Sequence, residues 1–167
     1  MDLYVLRHGQ AEERDGLKYS DDRERPLTLR GIERLARQVT GMNSLGICPE
    51  LIVTSPLVRA VQTAEVVREG LTLEMRLEYS NFLVPWAEPR EILEELREAH
   101  ASEHSVMVVG HEPHLSSLIS LVSSGTLNCA IRLKKGALCK LRIPTVGPGR
   151  CGRIEWSLTP KQISKLG

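Results

Sequence analysis

The residues of this chain best equipped for chemistry stand where short apolar runs end. Arg7-His8-Gly9 closes the run Leu3-Tyr4-Val5-Leu6, Ser55 and Arg59 follow Leu51-Ile52-Val53-Thr54, and His111 follows Val106-Met107-Val108-Val109-Gly110. A histidine supplies a nucleophilic ring nitrogen, and an arginine supplies a forked cation that matches phosphate oxygens. Arg59 falls near the first turn of a helix, so its guanidinium can reach back toward the N-terminal amides, themselves an anion-binding feature. Two arginines, two histidines and helix N-termini around one cavity would suit a phosphoryl group. Arg-His-Gly alone is also what a capped strand end looks like. The convergence of three separate segments carries the reading.

Each apolar run is brief, β-prone and bounded by glycine or polar residues, the pattern of a buried strand. Thr28 can cap a helix with Ile32, Leu35, Ala36, Val39 and Met42 on one face. Ser55-Pro56 reads as an N-cap followed by proline at the first helical position, ahead of Leu57, Val58, Val61, Ala64 and Val67. Leu73 to Leu77 is a further strand. Pro89 starts a helix bearing Ile92, Leu93 and Leu96, and Pro113 opens one bearing Leu115, Leu118, Ile119 and Val122. Ala137 to Ile143 and Gly152 to Leu158 form two late strands joined by a Pro/Gly turn. Strands alternating with helices predict an α/β three-layer sandwich, with a mostly parallel central sheet and helices on both faces. Ligands bind such sheets at the carboxyl edge. The charged connection Gln10 to Arg25, long for its kind, is expected to cover that edge beside His8.

A length of 167 residues fits one domain spanning the chain, and 41% hydrophobic residues supply a core that is mostly aliphatic. The 22 basic and 21 acidic residues nearly cancel, so charge gives no case for nucleic acid or an anionic membrane, and any positive site must be local. No apolar run approaches the roughly 18 residues of a membrane helix. Arg7-His8 arrives too early for a signal peptide, which leaves the cytoplasm as the default compartment. Cys48, Cys129, Cys139 and Cys151 show no metal-type spacing and are expected to be reduced thiols.

The sequence resembles the histidine phosphatase superfamily, which includes the phosphoglycerate mutases. Four pieces in the family's order carry the resemblance: Arg7-His8-Gly9, Leu27-Thr28-Leu29-Arg30-Gly31, the stretch Ser55 to Ala64, and Val109-Gly110-His111-Glu112-Pro113. Within it, the short chain, Arg25-Pro26-Leu27-Thr28 and Lys135-Gly136-Ala137-Leu138 look most like the SixA branch of protein phosphohistidine phosphatases. The resemblance implies a phosphoglycerate mutase-like fold and a catalytic set of His8, Arg7, Arg59 and His111. In that set His8 becomes phosphorylated, and Arg7, Arg59 and His111 hold the phosphoryl oxygens. It also implies a monomer that acts on a phosphohistidine-bearing protein in signal transduction and releases phosphate, with no cofactor and no metal, because the arginines supply the positive charge.

One departure bears on the substrate. Mutases and many small-molecule phosphatases of the superfamily carry an acid after the third strand, where this chain reads Glu78-Tyr79-Ser80-Asn81-Phe82-Leu83-Val84-Pro85. Glu78 is the candidate there, unless it lies within the strand. An alkoxide leaving group benefits from a general acid by roughly 10²–10⁴-fold, whereas a phosphorylated imidazole has a labile P–N bond. An acid-poor, open site therefore favours phosphohistidine over a small phosphate ester or sugar phosphate. A phosphate-binding module without turnover is a third reading. Arg25 either reaches the phosphate or serves the loop, and Ser55 is expected chiefly as a cap. Arg59 can alternatively pair with Glu65 or another carboxylate on its helix surface. Glu12, Glu13 and Asp15 are expected to pair with Arg14, Arg23 or Arg25. His100 and His104 are expected to be solvated at a polar helix end, and His114 lies outside the site.

Overall fold

The computed structural model describes residues 1–71, 75–128 and 130–167. Six strands form one sheet: β1 (Asp2–Arg7), β2 (Leu51–Thr54), β3 (Arg76–Tyr79), β4 (Ser105–Gly110), β5 (Leu138–Arg142) and β6 (Arg153–Leu158). Their order is β3-β2-β4-β1-β5-β6. The first four are parallel, and β5 and β6 join antiparallel at one side. The helices are α1 (Leu29–Ser44), α2 (Val58–Gly70), α3 (Pro89–Ala99), α4 (His114–Ser124) and the single turn α5 (Pro160–Ile163).

Alternation along β1 sorts its side chains between two layers, because successive residues of a strand face opposite ways. Leu3 and Val5 join Ile92, Leu93 and Leu96 of α3 and Leu115, Leu118 and Ile119 of α4. Tyr4 and Leu6 join Val39 and Met42 of α1, Ala60, Ala64 and Val67 of α2, and Ile163 of α5. The three-layer α/β sandwich expected from the sequence is therefore present. Each fully buried Leu or Ile contributes about 1.5–3 kcal/mol, which makes the paired apolar layers the main support of the site.

Several expectations are corrected. Ala36 is exposed, because the buried stripe of α1 runs through Leu35, Gln38, Val39 and Met42. The third strand is displaced toward the C-terminus, to Arg76–Tyr79, and residues 73 and 74 of the expected segment lie outside the described residues. Glu78 consequently sits inside β3, opposite Val53. Its carboxylate lies 3.7 Å from Arg76 and 3.6 Å from His100, at the C-terminus of α3. His100 is buried rather than solvated, since the chain folds it in as α3 ends. Cys48, Cys139 and Cys151 are free thiols, and Cys129 lies outside the described residues.

Candidate active site

Register brings the chemical residues together. Arg7 at the end of β1 stands beside Gly110 at the end of β4, and Thr54 at the end of β2 stands beside Val109. One residue further, the His8 amide donates to the Gly110 carbonyl at 3.1 Å and the Ser55 amide to the Val109 carbonyl at 2.9 Å. His8, Ser55 and His111 thus leave the sheet at one level of its carboxyl edge. The His8 and His111 rings lie 5.0 Å apart between centroids. All four expected residues converge here.

His8 is 5% exposed, and its Nδ1–H donates to the Gly9 carbonyl at 2.7 Å. That bond fixes the tautomer and leaves the lone pair on Nε2. Burial depresses the imidazole most. The Gly9 bond opposes the shift, Arg59, Arg7 and Lys135 add to it, and the pKa settles at about 3. A buried ring among cations stays neutral because both surroundings disfavour a second proton. The Gly9 amide in turn donates to Thr63 Oγ1 at 3.0 Å, and that hydroxyl donates to the Arg59 carbonyl at 2.7 Å.

His111 is also held neutral, its pKa lowered to about 2 by burial first and then by His8 and Arg59. Its Nε2 lies 2.9 Å from Ser55 Oγ. Ser55 Oγ also accepts from the Leu57 amide at 3.4 Å, so one hydroxyl joins the start of the second helix region to the His111 ring. Ser55 is therefore not the helix cap that its place before Pro56 implies. The capping position is Leu57, which makes no side-chain cap bond, and α2 begins at Val58. The cause is tertiary: the Ser55 amide extends the ladder to β4, and its hydroxyl orients an imidazole.

The cations have mixed partners. Arg7 donates from one terminal nitrogen to the Leu133 carbonyl at 2.7 Å. Arg59, 3% exposed, donates to the Asp22 carbonyl at 2.7 Å and to Asp22 Oδ2 at 3.1 Å. Asp22 comes from the 3-10 turn Asp22–Glu24 in the loop expected over this edge. Its carboxylate also takes Arg14 and Arg25, each at 3.0 Å. Burial alone would raise the Asp22 pKa, but bonds from Arg25 and Arg14 and the charges of Arg59 and Arg25 bring it to about 2. Arg25, which also donates to the Glu12 carbonyl at 2.7 Å, serves the loop. The loop's ion pairs differ from those expected: Glu12 holds Lys18, Asp21 holds Arg23, and Asp22 holds Arg14, Arg25 and Arg59.

Three buried nitrogens of this cluster, Arg7 Nε, Arg59 Nε and His111 Nδ1, have no hydrogen-bond partner among the described residues. Buried polar atoms are rarely left unpaired, and an oxyanion bound between the arginines is a ligand that would satisfy them. Sequence reasoning missed Asp22, the orienting role of Ser55, and Lys135, whose charge reaches His8. In the sequence Lys135 stands out only within the stretch Lys135-Gly136-Ala137-Leu138.

Residues 3–80 match the family model for the histidine phosphatase superfamily (branch 1). The chain is 34% identical to an uncharacterized protein of Picosynechococcus sp. over 85% of each chain. It is 27% identical to the phosphohistidine phosphatase SixA of Escherichia coli strain K12, covering 96% of this chain and 94% of that one. Its fold matches a solved structure of the protein histidine phosphatase SixA complexed with tungstate, with a TM-score of 0.84, 23% identity, and 96% and 98% of the two chains covered. The alpha-ribazole phosphatase structure from Shigella flexneri matches with a TM-score of 0.69 at 19% identity, covering 96% and 97%.

Proposed function

The chain belongs to the histidine phosphatase superfamily and is a phosphatase, and from that premise we propose that its substrate is phosphohistidine carried on another protein. The observation that carries this reading is the state of Asp22, the carboxylate that touches the phosphate-binding arginine. Bonds from Arg25 and Arg14, with the charge of Arg59, bring its pKa to about 2, and the first two arginines stay on it when Arg59 turns to phosphate. An ionised carboxylate cannot donate a proton to a departing alkoxide. Glu78, the other candidate acid, is engaged with Arg76 and His100. Such a site suits a leaving group that needs little acid help, and an imidazole leaving from a P–N bond is one.

The His8 Nε2 lone pair attacks phosphorus in line. The new N–P bond forms as the P–N bond to the substrate imidazole breaks, and that departing nitrogen takes a proton from solvent. Arg7, Arg59 and His111 hold the three equatorial oxygens, where charge spreads in the transition state. Water then attacks the phosphorus of phosphorylated His8. The N–P electrons return to Nε2, inorganic phosphate leaves, and the ring is again neutral. Arg59 exchanges Asp22 for phosphate oxygens as substrate arrives.

The test is a phosphotransfer domain labelled with phosphate on histidine, incubated beside a panel of sugar phosphates. Rapid release of label from the domain, slow turnover of the esters, and acid-labile label trapped on wild type but not on His8→Ala are expected. Retention of label on the domain at high enzyme concentration refutes the reading, and preferential ester hydrolysis replaces it.

A further inference from the structure

Beside His8, on the Arg7 side, a cavity of about 820 Å³ opens between the start of α1, the segment 132–136 and α5. Arg34, Arg132, Lys134, Lys135 and Lys161 line it, and none of its lining residues is acidic. These five cations make no ion pair among the described residues. In a chain of net charge +1 that concentration is local.

The cations are held against the catalytic strand. Leu133 receives Arg7 on its carbonyl, and its amide donates to Glu112 Oε1 at 2.7 Å. The Gly136 amide donates to the carbonyls of Arg7 and His8, each at 3.0 Å. Gly136 adopts φ +78, and a Cβ there would meet Gln38 Oε1 at 3.0 Å. Gln38 itself lines the cavity, is 2% exposed, and leaves its amide oxygen without a partner among the described residues. The cavity therefore combines unpaired exposed cations with a buried, unsatisfied acceptor.

We infer that this basic cavity is the docking site for an acidic face of the protein that carries the phosphohistidine, with the carboxylates on the cationic rim and a donor on Gln38. The inference rests on the phosphohistidine-protein reading above. Exposed cations at a rim suit a macromolecular surface, since rim charges act chiefly on encounter rate and orientation. A group docked here leaves the adjoining Arg7 and His8 to the phosphoryl group.

The test compares wild type with the double variant Lys134→Glu/Lys161→Glu, both positions being exposed and outside the catalytic cluster. One substrate is a phosphotransfer domain whose phosphohistidine is flanked by Asp and Glu, and the other is phosphoramidate. The variant is expected to lose about tenfold or more in kcat/KM on the domain, through KM, and to flatten its salt dependence, within the range that electrostatic steering allows. Turnover of phosphoramidate should stay within about twofold, and poly-glutamate should inhibit the domain reaction of wild type alone. Equal rates on the domain, or equal losses on both substrates, overturn the docking site. Inhibition by a single-stranded oligonucleotide but not by poly-glutamate overturns it in favour of a nucleic-acid partner. If wild type hydrolyses phosphoramidate but leaves the domain labelled, the protein-substrate reading fails first and the docking site falls with it.

Discussion

Acidification from pH 7 to pH 5 should weaken this fold sharply through three buried imidazoles. His8, His111 and His114 are 5%, 2% and 2% exposed, with pKa values lowered to about 3, about 2 and about 4, in each case mainly by burial. In the unfolded chain each returns to about 6.5. As pH falls through that value the unfolded state takes up a proton at each site while the folded state refuses it, so stability is lost as pH falls. The loss levels off only below the folded pKa values. Between pH 7 and 5 each site costs about 2 kcal/mol, and the three together about 6 kcal/mol. Asp22 adds nothing in this window, because its contribution is lost only below about 4. Against a typical stability of roughly 5–15 kcal/mol the effect is large. Urea unfolding at pH 7, 6 and 5 measures it, with an unchanged m-value. His114→Leu should recover about a third of the loss. A total below about 2 kcal/mol, or an undiminished loss in His114→Leu, would refute the assignment of buried neutral rings.

Ser55→Ala frees the His111 ring from its orienting bond and should lower kcat on phosphoramidate about tenfold, roughly 1.4 kcal/mol of transition-state stabilisation, with little change in KM. Asp22→Asn removes the anion that competes for Arg59. Inorganic phosphate and tungstate should then inhibit about threefold to tenfold more strongly, and weaker inhibition would show instead that Asp22 mainly positions the guanidinium. Gly136→Ala must take a side chain at φ +78 against Gln38, so denaturant titration should show a loss of about 1–2 kcal/mol.

Much of the site was legible because its residues sit where runs of Val, Ile and Leu stop. The parallel pairing of β1, β2 and β4 then brings those endpoints to one level, whatever their separation in sequence. The Thr28 cap was equally plain, its hydroxyl accepting from the Gly31 amide at 2.9 Å. What escaped were contacts made across the fold. The link between Arg59 and Asp22 spans 37 positions and depends on how a charged loop drapes. Ser55 shows the local chemistry of a cap, but the ladder to β4 and the His111 ring outweigh it. His100 carries a polar pattern around it, and only the packing at the end of α3 buries it. The basic cavity was invisible for the same reason, because its cations come from three stretches that are each unremarkably charged.

Thr63 has a consequence for how such a protein can change. One hydroxyl accepts from the Gly9 amide, in the turn after the His8 imidazole proposed to take the phosphoryl group, and donates to the backbone carbonyl of Arg59, bridging 54 positions. The two groups are thus latched in mutual register by a short brace inside the molecule. Insertions or rewritten loops between them can alter what approaches the sheet edge while the backbone after His8 keeps its place against the backbone of Arg59.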